Sequence, residues 1–82
     1  MRPTPAQARA LAMLASGDLA FTPAAWRPKG GHPPAAAPVQ HRTMRNLVLL
    51  GWCRLRQRGG RVRFATLSAA GAAALARSEG RL

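Results

Sequence analysis

The sequence predicts a small α+β domain, mainly α, with three or four helices and one two-stranded β-hairpin. Three observations predict it. Two segments open on capping residues and carry apolar residues at helical spacing, a strongly amphipathic segment lies between them, and a Gly-Gly pair separates two short strand-like runs. The 82 residues suit one domain, 1–82; at that size folding buries only about 60% of the unfolded chain's surface.

Thr4-Pro5-Ala6-Gln7 reads as a helix start: Thr4 caps, Pro5 takes the first helical position, and Gln7 stands where a capping box places Glu or Gln. Ala8, Leu11, Ala12 and Ala15 recur at helical spacing, and Gly17 stops the helix after Ser16. Leu19 to Thr22 reads as a short strand. Thr22-Pro23 is a second cap-like pair, so a turn of helix is expected to run through Trp26 until Pro28 ends it. Residues 28–38 form a Pro- and Gly-rich loop, in which Gly30-Gly31 and Pro33-Pro34 exclude a regular helix.

The span 39–50 is the second long helix. At about 100° per residue Met44, Leu47 and Val48 share one face. His41, Arg42, Arg45 and Asn46 share the opposite face with Leu49. Trp52 to Gln57 and Val62 to Leu67 read as strands around Arg58-Gly59-Gly60-Arg61, which suits a two-residue turn. That register sets Leu55 against Phe64 and Gln57 against Val62 on one side, and Arg56 against Arg63 and Arg58 against Arg61 on the other. Directly opposed like charges destabilise a free hairpin, so the two pairs make sense beside phosphates. Ser68 caps a last helix, Ala69 to Arg77, with Ala70, Gly71, Ala74 and Leu75 as a smooth apolar surface, and residues 78–82 are expected to fray.

Thirteen Lys and Arg face two acids, a formal net charge of +11, and every cation but Lys29 is Arg. Such a charge works against compactness unless a polyanion neutralises it. Arg favours planar, bidentate recognition of phosphate and guanine. A high-GC genome also favours Arg over Lys, but it does not account for the scarcity of acids. Asp18 and Glu79 are the only acidic side chains and lie near helix ends, which argues against a paired-carboxylate mechanism. His32, His41 and Cys53 match no common zinc spacing, and no phosphate-cradling glycine motif is present. The expectation is a protein that is not an enzyme, with no metal and no cofactor. A single cysteine forms no internal disulfide, which fits a reducing cytosol. No apolar run reaches membrane-span length, and Ala10 to Ala15 is too short for a secretory signal. The expected location is cytoplasmic, on the nucleoid.

The order of helix, short strand, reduced second helix, basic helix, basic hairpin and helix is that of a winged helix. Arg42-Thr43-Met44-Arg45-Asn46-Leu47 followed by Leu50-Gly51-Trp52 looks like the end of a recognition helix in bacterial winged-helix regulators. Leu67-Ser68-Ala69-Ala70-Gly71 followed by Leu75 resembles the Leu-Thr-x-x-Gly-x-x-x-Leu entry to the helix after the wing in MarR-like groups, with Ser for Thr. The resemblance covers residues 4–77. It implies a winged helix-turn-helix of three or four helices with a two-stranded wing, a MarR-like core without the dimerisation helices. The chain departs from the pattern where the second helix belongs, at Gly30, Gly31, Pro33, Pro34 and Pro38.

The implied function is sequence-specific binding of double-stranded DNA, as a transcriptional regulator or a mobile-element accessory factor of bacterial or phage type. Helix 39–50 would enter the major groove and wing 54–63 would lie on the backbone or minor groove. Arg42, Arg45 and Asn46 are the expected base contacts, since Arg suits guanine and Asn suits adenine. Gln40, His41 and Thr43 would touch backbone or bases. Arg54, Arg56, Arg58, Gly59, Gly60, Arg61 and Arg63 would be the wing contacts. A homodimer on DNA is compatible with this reading; no small-molecule effector and no membrane partner are expected. The alternatives are a structured-RNA or ribosome-associated basic protein, and a winged-helix protein-interaction module. RNA modules more often show exposed aromatics on a sheet, and this chain has no Tyr and two Phe.

Overall fold

The computed structural model describes residues 2–28, 38–58 and 62–79. They form an α+β domain of three helices and a four-stranded antiparallel sheet, in the order α1 Pro5–Ser16, β1 Leu19–Phe21, β2 Trp26–Pro28, α2 His41–Leu49, β3 Cys53–Arg58, β4 Val62–Leu67 and α3 Ala69–Ser78. Spatial order in the sheet is β2-β1-β4-β3.

Helix α1 starts as its sequence dictates. The Gln7 N–H donates to the Thr4 hydroxyl at 3.2 Å and the Thr4 N–H to Gln7 Oε1 at 2.9 Å, closing the capping box. Its buried stripe is Ala10, Leu11 and Leu14; Ala12 and Ala15, expected on that stripe, are exposed. The larger Leu14 sets the phase, because alanine is tolerated on either face.

The second helical turn expected through Trp26 is absent, and the hairpin β1–β2 stands in its place. The Thr22 hydroxyl does accept the N–H of Ala25 at 3.0 Å, as a cap would, but the hydroxyl also donates to the Ala25 carbonyl at 2.6 Å and closes a tight turn. Phe21 then pairs with Trp26. Trp26 and Val39 exchange both backbone hydrogen bonds at 2.8 Å, an isolated antiparallel bridge that explains why α2 begins at His41 and not at Val39. Of the expected loop 28–38, Pro28 belongs to β2 and residues 29–37 lie outside the described set.

Strands β3 and β4 pair one residue out of the expected register: Leu55 opposes Ala65, Arg56 opposes Phe64, Gln57 opposes Arg63 and Arg58 opposes Val62. The Arg56–Arg63 pair is therefore not formed, and Arg58 is not set against Arg61. Residues 59–61 separate the paired ends, one more than a two-residue turn allows. A one-residue slip exchanges the two faces of β4. The register adopted sends Ala65, opposite Leu19 of β1, fully into the core and keeps Leu67 packed against it. The expected one would have buried Thr66.

All three helices lie on the face of the sheet that carries Leu19, Cys53 and Ala65. With Leu11, Val39, Met44 and Leu47 these make the core. Helix α2 ends in a Schellman motif: Trp52 N–H donates to the Leu47 carbonyl at 2.9 Å and Gly51 N–H to that of Val48 at 3.0 Å, with Gly51 at φ 75°. Helix α3 is capped by Ser68, whose hydroxyl accepts from Gly71 N–H at 3.0 Å and donates to the Gly51 carbonyl at 2.6 Å. It continues to Ser78, so of the expected fraying tail the first residue is helical and 80–82 lie outside the described residues.

Candidate nucleic-acid interface

Helix α2 has the apolar and polar faces its sequence sets, except that His41, expected on the polar face, is half-buried against Phe21 and Trp26. Met44 and Leu47 are buried and Val48 half-buried, while Arg42, Arg45, Asn46 and Leu49 form one exposed ridge. Leu49 is 78% exposed, which makes it the one large apolar side chain on that ridge. Gln40 is exposed and its side chain caps nothing; Thr43 is half-buried.

His41 is held from below. Its Nε2 donates to the Pro23 carbonyl at 3.3 Å, and its ring lies 5.0 Å from Phe21 and 6.3 Å from Trp26. Trp26 meets Phe21 edge-on at 5.4 Å and 77°, the geometry that aromatic quadrupoles favour. The cluster ties the first turn of α2 to β1–β2. Trp26 is a buried core residue and the centre of this tie.

Beside α2 runs an open groove of about 530 Å³, lined by Phe21, Trp26, His41, Met44, Arg45, Val48, Leu49 and Leu55. Phe21 and Leu55, 38% and 49% exposed, form its sheet side. Arg63 sits over the Phe21 ring, 5.5 Å from its centroid. The groove thus has a mainly apolar lining that includes Arg45, and Arg63 lies beside it over Phe21.

The register divides the hairpin arginines between two surfaces. Arg63 stands two residues from buried Ala65, on the same face, and lies on the α2 side. Arg54 and Arg56 alternate with buried Cys53 and project from the opposite face of the sheet, where Arg27 joins them from β2. Arg58 is described by its backbone pairing with Val62, and Gly59, Gly60 and Arg61 lie outside the described residues. The structure therefore brings Arg42, Arg45, Asn46 and Arg63 to one side and Arg54 and Arg56 to the other. Arg27 was missed by sequence reasoning because nothing local marks Trp26–Pro28 as a strand.

Trp52 is buried at the base of β3, and burial pushes the Cys53 thiol up from 9.0 to about 11. Among the described residues no three His, Cys, Asp or Glu side chains gather as metal ligands, and no helix is long and apolar enough to cross a membrane. No protein-family model, characterised protein or solved structure matches this chain.

Proposed function

We propose that the protein is a winged-helix, sequence-specific binder of double-stranded DNA, serving as a transcriptional regulator or mobile-element accessory factor. The observation that carries the reading is the α2 ridge: two arginines and an asparagine, exposed together on a helix whose other face is core, in a chain of net charge +11. A helix of this kind fits the major groove, where Arg reads guanine and Asn reads adenine bidentately. Leu49 adds an apolar contact suited to a thymine methyl. Arg63, which lies over Phe21 beside the same groove, would take a backbone phosphate. The reading takes β2 in place of the second helix, α2 as the recognition helix and β3–β4 as the wing, which would meet the same duplex through Arg63 and not through Arg54 or Arg56.

The test is unbiased selection of bound genomic fragments beside a duplex RNA competitor, followed by salt titration on the enriched site. Enrichment of a defined DNA motif, with affinity falling steeply as salt rises, is expected. Three phosphate contacts alone give a slope of log affinity against log salt of about −2.7. A flat salt dependence, or preference for the RNA, would overturn the reading.

A further inference from the structure

We propose that the outer face of the sheet is a second DNA-binding surface, which grips the phosphate backbone of another duplex so that one molecule bridges two. The inference rests on duplex DNA being the ligand of the α2 side, and goes beyond it to a surface that side does not include.

The register builds this face. Across the sheet Arg27 pairs with Ala20, Ala20 with Phe64, and Phe64 with Arg56, so the four share one lateral row and one face. Arg54, two residues from Arg56 on β3, projects from the same face beside Thr66. Arg27, Arg54 and Arg56 are exposed, and none has an ion-pair partner among the described residues. Every charged side chain of the described strands on this face is a cation, whereas a merely solvated face mixes signs. The helices all pack on the other face, so no described helix covers this one. Arg54 and Arg56 stand two residues apart on one strand, about 6.7 Å, and repel each other in the free protein.

The geometry suits a duplex. Three inter-strand steps of about 4.8 Å set Arg27 about 14 Å from Arg56, comparable with the roughly 12 Å width of the major groove. Arginines at the two margins of the sheet can therefore meet phosphates on both sides of a groove. Between them lie Ala20 and a half-buried Phe64. That is one aromatic ring, where a single-strand binder stacks successive bases on several.

The test uses the full chain with a bead-bound duplex and a second, fluorescent duplex, and counts the second duplex captured. Sedimentation at the assay concentration establishes the protein's oligomeric state. The wild-type protein is expected to capture the second duplex as a monomer. The triple change Arg27→Gln/Arg54→Gln/Arg56→Gln is expected to abolish capture while keeping the sequence preference for a single duplex, and to lower the salt slope of bridging by about 2.7. The double change Arg54→Gln/Arg56→Gln, which leaves β2 untouched, should lower it by about 1.8, and circular dichroism checks both folds. Capture that survives in the triple variant, through a dimer or otherwise, overturns the proposal, as does single-duplex binding by the wild type without capture. Stronger loss of single-stranded RNA than of duplex DNA in the triple variant would also overturn it. Failure to bind any duplex at all would instead sink the reading of α2.

Discussion

Replacing Gly71 with alanine tests how helix α3 is seated. A Cβ at Gly71 would overlap the carbonyl oxygen of Trp52 and come within 2.9 Å of Leu67 Cδ1 and of the Trp52 carbonyl carbon. The nearest obstacle is backbone, fixed on one side by the Schellman turn of α2 and on the other by Ser68 N–H, which donates to that same Trp52 oxygen at 3.2 Å. The helix must therefore move away as a unit. Overpacking of this kind costs about 1–3 kcal/mol. Loss of the Ser68 N–H bond adds about 0.5–1.5 kcal/mol. Alanine's better helix propensity returns at most about 1 kcal/mol. The expected net loss is about 2 kcal/mol, or about 8–16 °C in Tm for a domain this small. Urea and thermal melts followed by the fluorescence of buried Trp26 and Trp52 would measure it. Ala72→Gly, on the exposed side of the same helix, is the control and should cost only about 0.5–1 kcal/mol. A Gly71→Ala protein as stable as wild type would refute the close approach of α3 to Trp52.

Arg45→Ala or Asn46→Ala should weaken binding to the selected DNA site by about 1–3 kcal/mol and relax preference at one base, as read by anisotropy on the site and on random duplex; equal losses on both would remove α2 as the reader. Arg63→Gln should cost about 0.5–1 kcal/mol in thermal melts because it loses the Phe21 ring, whereas Arg56→Gln should stay within about 0.5 kcal/mol of wild type. Burial raises the Cys53 thiol from 9.0 to about 11, so its contribution to stability is fully present below pH 9.0 and is lost as pH rises toward about 11. Urea melts across that window should show a decline that Cys53→Ala removes; a decline of the same size in the variant would place its origin elsewhere.

What the sequence made legible were the features decided locally. The Thr4–Gln7 box and the Ser68 cap are bonds between neighbours three residues apart, and both formed. The phase of α2 was readable because arginines and large apolar residues cannot exchange faces; that of α1 was not, because alanines can. Thr22-Pro23 supplied the same hydroxyl-to-amide bond in a turn that it would have supplied in a cap, and what chose the turn was the pairing of Trp26 with Val39, distant in sequence. The Gly59-Gly60 pair suggested a two-residue turn, but the register was decided by which residues of β4 face the helices. That one-residue difference carries into the candidate site. It dissolves the Arg56–Arg63 pair and sends the two arginines to opposite faces of the sheet. The residue types of the site were legible, and their partition into two surfaces was not.

The missing second helix has a physical substitute, and it bears on how α2 could act. At its start α2 is fixed by the Trp26–Val39 bridge, by the His41–Pro23 hydrogen bond and by the ring cluster of Phe21, Trp26 and His41. At its end Gly51 and Trp52 are bonded back to Val48 and Leu47, and Ser68 clips the Gly51 carbonyl to the first turn of α3. A nine-residue helix is marginal by itself in water. Gln40 gives α2 no side-chain cap, so its order comes from these two clamps and from burial of Met44 and Leu47. Both clamps lie behind or beyond the exposed ridge, which leaves Arg42, Arg45, Asn46 and Leu49 uncovered while holding the backbone that carries them. On the proposed reading, that division removes most of the ordering cost from binding, and a hairpin edge does for the recognition helix what a bracing helix does elsewhere.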